Sequence, residues 1–119
     1  MSVKRLDSSK PIIEIVWEGM VSPEQVEETN NEIKKIADQL GNSFDLLVDM
    51  RNMKAFPQDT KEKMVEHQKL LAQWGMKRAS VAVGGAIAKM QLNRISKESQ
   101  HQTEFQWETI DEALAFLLN

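Results

Sequence analysis

Apolar residues along the chain follow two rhythms, one of β-branched clusters and one of helical spacing. Ile12-Ile13-Glu14-Ile15-Val16-Trp17 is a short β-branched run between Pro11 and Gly19. It is too brief for a helix and predicts a strand. Upstream, Val3–Leu6 predicts an edge strand that pairs with it across an Asp7–Lys10 turn. Ser22-Pro23-Glu24-Gln25 has the form of a helix start. The Ser22 hydroxyl can accept from the Gln25 N–H, Pro23 suits the first helical position, and Glu24 meets the positive dipole end. Val26, Ile33, Ile36, Ala37 and Leu40 then recur on one face until Gly41 stops the helix. Glu27, Glu28, Glu32, Lys34 and Lys35 occupy the other face.

Phe44–Asp49 reads as a second strand, and its continuous apolar run suits a sheet covered on both sides. A loop is expected from Met50 to Pro57. The next helix should begin near Gln58–Thr60 and end at Trp74–Gly75, with Asp59 as its N-cap and Glu62 three residues on. Met64, His67, Leu71 and Trp74 share one face of it. Arg78–Val83 predicts a third strand, Gly84-Gly85 a turn, and Ala86 to about Lys97 a helix. Gln102–Trp107 predicts a fourth strand, and Thr109-Ile110-Asp111-Glu112 opens a terminal helix through Leu118. Strands alternating with helices imply an α/β domain: a four- to five-stranded mixed, largely parallel sheet with flanking helices and right-handed crossovers.

Composition narrows the class. The 119 residues suit one domain, and 41% apolar with 28% charged residues is ordinary globular usage. No apolar run approaches the roughly 20 residues that span a bilayer, so no integral membrane segment is expected. No signal-like segment precedes Pro11, and cytoplasmic localisation is expected. Cysteine is absent, which removes disulfides, thiolate metal sites and a cysteine nucleophile. A formal net charge of −3 argues against a nucleic-acid partner. Basic residues outnumber acidic ones between Thr60 and Lys97, a distribution that fits a solvated helix exterior or a face for an acidic partner.

Three segments together resemble a STAS-type domain, the fold of anti-sigma factor antagonists, and more closely its SpoIIAA-like branch. Ile13–Val21 is similar to the family's opening strand, which ends in a glycine and an apolar residue before the first helix. Asp45–Met53 is similar to its second strand, ending in aspartate and a short loop. Phe105–Leu117 is similar to its closing strand and helix, with an acidic-Ala-Leu step at Glu112-Ala113-Leu114. The resemblance covers nearly the whole chain and implies a single STAS-like domain over residues 1–119. It also implies a regulatory or binding module in a bacterial-type setting rather than an enzyme.

In STAS antagonists a partner kinase phosphorylates a hydroxyl at the start of the helix that follows the second strand. A helix start welcomes an anion, and a phosphate's charge changes how a partner fits. The resemblance and the helix start therefore imply a partner surface at Gln58, Asp59, Thr60 and Lys61. Asp49 at a strand's C-terminal end and Asn52 in the adjoining loop join it, where open α/β sheets place ligands, unless those two are turn residues. Counted from Asp49 without gaps, Gln58 and Asp59 stand at the family's hydroxyl positions and Thr60 at its glycine. With a loop one or two residues longer, Thr60 becomes the phosphorylation candidate. As a surface position, Thr60→Glu would leave stability within about 0.5 kcal/mol.

The SpoIIAA-like branch also resembles carriers of lipid-like molecules. Seven methionines offer adaptable apolar side chains. Met50, Met53, Phe56, Met64 and Trp74 are candidates to line an apolar pocket between sheet and helices, or to be core. The expected partner is thus a protein or a small apolar ligand, with a homodimer as a further option. No cofactor, metal site or catalytic residue is expected. His67 and His101 lack the spacing of a helical metal pair, and no nucleophile elbow or P-loop occurs. Val83-Gly84-Gly85-Ala86 offers backbone N–H groups to an anion or makes a tight turn.

Overall fold

The computed structural model describes residues 2–6, 9–55, 57–84, 89–90, 93–95, 97 and 104–119. Five strands form one mixed sheet: β1 (Ser2–Arg5), β2 (Ile12–Met20), β3 (Phe44–Ala55), β4 (Met76–Val83) and β5 (Glu104–Trp107). Their spatial order follows the sequence, β1-β2-β3-β4-β5, with β1 antiparallel to β2 and the other pairs parallel. The helices are α1 (Pro23–Gln39), α2 (Gln58–Gln73) and α3 (Ile110–Leu118). Residues 89–90, 93–95 and 97 are also helical. The α/β architecture and largely parallel sheet are as the patterning predicts. The rest of the expected 86–97 helix and the first two residues of the expected final strand lie outside the described residues.

Both faces of the sheet are covered, unequally. Ile13, Ile15, Trp17, Leu46, Val48, Met50, Ala79 and Val81 pack with Val26, Ile33 and Ala37 of α1, Met64 and Leu71 of α2, and Ile95. Each large side chain fully buried here contributes about 1.5–3 kcal/mol through area removed from water. On the other face, Ile12 and Leu47 pack with Ala113 and Leu117 of α3. Sequential parallel strands joined by right-handed crossovers place α1 and α2 on the same side. The chain leaving β5 needs no further crossover, and α3 covers the face they leave open.

Local sequence explains the ends of the elements. Ser22 Oγ accepts from Gln25 N at 3.2 Å, and Ser22 N donates to Gln25 Oε1 at 3.0 Å, a complete reciprocal cap with Pro23 in the first turn. Thr109 Oγ1 accepts from Glu112 N at 3.1 Å at the start of α3. Gly75 ends α2 with φ +105, and a Cβ there would lie 1.6 Å from the Asn42 carbonyl oxygen. Only glycine lets the α2–β4 turn cross the α1–β3 turn so closely.

Two local expectations are corrected. The loop expected over Met50–Pro57 is instead the second half of β3, which runs to Ala55. β2 also extends to Met20, so its backbone offers partners to the whole of β3. A register shift between Val16 and Glu18 lets consecutive residues Arg51 and Asn52 both face solvent while Met50 and Met53 stay buried. That break in alternation hides the strand from a period-two reading. Asp59 is not the N-cap of α2: that position is Pro57 (φ −58, ψ 160), which has no side-chain cap. The long strand feeds the helix almost directly, so Asp59 falls inside the first turn and its Oδ1 accepts from Thr60 N at 3.0 Å.

Candidate functional site

The C-terminal ends of parallel strands are where open α/β sheets gather ligands, and here that edge divides into two parts. One part comprises the ends of β2 and β3 with the start of α2. The other comprises the ends of β4 and β5 with the start of α3.

At the first part, Asn52 near the end of β3 and Gln58 and Asp59 in the first turn of α2 are exposed, and Lys61 is half-buried. Met20, where β2 ends, is 57% exposed, although its neighbours Val21 and Met53 are buried. Met20 stands opposite Ala55 in the sheet, and Val21 accepts a hydrogen bond from Thr60 at the start of α2. An exposed thioether thus stands at the end of β2, one residue before the carbonyl that ties the start of α2 to the sheet. Sequence reading missed Met20, because a methionine that ends a strand looks the same whether its side chain turns inward or out.

Thr60 does not belong to that surface. It is fully buried, and its hydroxyl donates to the Val21 carbonyl at 2.7 Å. The bond pins the start of α2 to the β2–α1 junction, and a kinase reaches the oxygen only if the helix start moves. The expectation of an accessible Thr60 is therefore corrected, and with it the tolerance assigned to Thr60→Glu. The physical reason is the two-residue offset of the cap: with Pro57 at the N-cap, the third helical residue turns inward.

Asp49 also stands apart from the α2 start. It shares the sheet face of Leu47, the face that α3 covers. Arg51 grips its carboxylate with Nε to Oδ1 at 3.0 Å, Nη2 to Oδ2 at 2.9 Å and the backbone N to Oδ1 at 3.1 Å. This pairing holds the Asp49 carboxyl below its ordinary range, against the opposing effect of partial burial, and holds Arg51 above its own. The nearby Asp111 carboxylate also favours the Arg51 charge.

The apolar candidates lie inside the core. Met50 and Met64 are buried with Trp17, Leu46, Val48, Leu71 and Met76 around a space of 20 Å³, about the room of one water molecule. Met53 is buried at the end of β3. Trp74 is half-buried against the core, with Lys34 Nζ 5.9 Å from its ring centroid. Phe56 lies outside the described residues. These methionines fill gaps between sheet and helices, and the cavity between them has no room for a lipid chain. His67 is buried beside them, paired with Asn30 Oδ1 and set edge-on to Trp17 with ring centroids 6.0 Å apart. His101 lies outside the described residues.

At the second part, an open cavity of 640 Å³ is lined by Val83 and Gly84 from the end of β4, Gln106 and Trp107 of β5, Glu108, Glu112 of α3, and Lys89. Gly84 packs so close to β3 that a Cβ would lie 2.8 Å from the Arg51 carbonyl oxygen. The strand–glycine junction singled out in the sequence therefore lines the larger cavity. The polar residues that complete it come from three separate segments, which no local motif joins. Among the described residues, no group of three or more acidic or histidine side chains is placed to hold a metal ion. No helix among them is long and apolar enough to cross a membrane.

Neither the scan against family models nor the search of curated proteins finds a match for this chain. The family resemblance accordingly stands on the three sequence segments quoted above.

Proposed function

We propose that this chain is a non-enzymatic, SpoIIAA-like binding module of the STAS type, acting in the cytoplasm by docking a protein partner. The docking surface comprises the end of β2, the end of β3 and the first turn of α2. The observation that carries this reading is Met20. It is a large apolar side chain 57% exposed at the C-terminal edge of the sheet, and the end of β3 and the start of α2 add the exposed polar residues Asn52, Gln58 and Asp59. An apolar centre with a polar rim is the usual layout of a protein interface. The parallel order of β2 to β5 and the strand–helix alternation are in keeping with the resemblance. The regulatory role implied for Thr60 drops out of the proposal, because its hydroxyl holds the fold together. The carrier alternative has no room in the 20 Å³ interior space.

A photo-crosslinking residue placed at position 20 tests the reading in the cells that make the protein, with position 32 on the outer face of α1 as the control. A discrete protein adduct from position 20, absent from position 32 and competed by untagged wild-type chain, is expected. No adduct, or equal adducts from both positions, would overturn it.

A further inference from the structure

We infer that the cavity between the ends of β4 and β5 and the start of α3 is a binding site for a small zwitterionic molecule, one carrying both an ammonium group and a carboxylate, as a free amino acid does. The site is separate from the docking surface proposed above and does not depend on it. Three observations carry the inference.

The first is size and place. A space of 640 Å³ lies within the range of small-molecule sites, at the strand ends where such sites form in open α/β sheets.

The second is the chemistry of the wall. Lys89 brings one positive charge and Glu108 and Glu112 two negative ones. One Glu112 oxygen accepts from the Thr109 hydroxyl at 2.9 Å, which leaves the other for a visitor. Gln106 donates its Nε2 protons to Asn93 Oδ1 at 2.6 Å and Glu104 Oε1 at 3.3 Å. Its carbonyl oxygen is thereby left to accept. Among the described lining residues carboxylates outnumber ammonium groups by one, which disfavours phosphates and other multiply charged anions. Charged and amide groups on four of the seven described lining residues disfavour a lipid chain. A molecule with separated opposite charges and no net negative charge satisfies both signs at once, its ammonium on the glutamates and its carboxylate toward Lys89.

The third is Trp107. Its Nε1 is buried, and among the described residues no acceptor lies within reach. The ring is held against Phe116 at 5.4 Å between centroids. A buried N–H without an acceptor is costly and uncommon. Trp107 also lines the cavity, so a ligand seated there changes the surroundings of this indole, and binding is read directly at its N–H signal.

The chain has three tryptophans, so a two-dimensional ¹⁵N–¹H spectrum carries three indole signals, with Trp107 assigned by Trp107→Phe. Titration with L-glutamine should shift the Trp107 indole signal in a saturable way while the Trp17 and Trp74 signals hold still. Sorbitol and inorganic phosphate should leave all three unchanged. Lys89→Gln and Glu108→Gln alter exposed side chains and keep the fold. Each should weaken L-glutamine binding, measured by the same titration, about tenfold, the effect of one lost charged contact. Unmoved Trp107 with L-glutamine and with L-lysine would overturn the proposal. So would a response to phosphate alone, or full affinity in both variants.

Discussion

Under α1 and α2, Trp17, Met64, Leu71 and their neighbours close on a residual space of 20 Å³. The buried polar groups there are paired, Thr60 with the Val21 carbonyl and His67 with Asn30. Under α3 the apolar contact is small, and charged pairs complete it. Arg78 Nη2 donates to Asp45 Oδ2 at 2.8 Å and to the Leu117 carbonyl at 3.3 Å, while Lys10 Nζ reaches the Leu118 carbonyl at 2.9 Å. Arg78 also lies over the Phe116 ring at 5.1 Å. The unsatisfied carbonyls that end a helix thus find cations, which also oppose the negative dipole end. One face is held by packing volume and the other by a short helix tethered at its C-terminus. The large cavity opens beside the other end of that short helix.

If that contrast is right, substitutions on the two faces should differ in size and in kind. The largest effect should come from Thr60→Glu, which buries a carboxylate without a partner and breaks the bond to Val21. A loss of about 3–5 kcal/mol in denaturant unfolding is expected. A loss below about 0.5 kcal/mol would show that the α2 start is open to solvent and would restore Thr60 as a regulatory candidate. Next, Leu71→Ala should cost about 2–5 kcal/mol, because the tightly filled face cannot collapse around the gap. On the α3 face, Arg78→Ala should cost only about 1 kcal/mol, since the ion pair is partly exposed and the lost bonds are to groups near water. Its hydrogen-exchange signature should be local, with faster exchange in α3 and little change in α1. Uniform loss of protection would mean that the two faces unfold as one unit.

The smallest effect concerns acid. Arg51 holds the Asp49 carboxyl below its ordinary range. A folded-state value below the unfolded one adds stability above the unfolded value, and this stability is lost as pH falls through the folded value. Asp49→Asn should therefore make stability less dependent on pH below about pH 4 and change little at neutral pH. An unchanged acid profile would show that the Asp49–Arg51 pair adds nothing in solution.

How much of this was legible beforehand varied by element. The start of α1 was fully so, because Ser22, Pro23 and Gln25 act within four residues of one another. The N-cap of α2 was placed two residues late, at Asp59, although the helix begins within the expected Gln58–Thr60. Asp59 and Glu62 imitate a cap, whereas the true boundary depends on how far β3 runs. The end of β3 was hidden because Arg51 and Asn52 interrupt the apolar pattern, and the register shift that accommodates them belongs to the pairing with β2. Of the residues expected at the docking surface, Asn52, Gln58 and Asp59 are exposed there. Asp49 faces α3 and Thr60 faces inward, assignments that turn on a single step of strand parity and a two-residue shift of the helix cap.

What the amino-acid order determined by itself is what nearest neighbours decide: the alternation of strands and helices, the capped starts at Ser22 and Thr109, and the stop at Gly75. Each depends on hydrogen bonds and backbone angles within a few residues. What only the tertiary structure decided is which side chains the sheet turns outward and what meets at its edge. The exposure of Met20, the burial of Thr60 and the meeting of Lys89, Trp107 and Glu112 depend on strand register and on the layer each helix joins. Those are set by packing between segments far apart in the chain, and no local spacing encodes them.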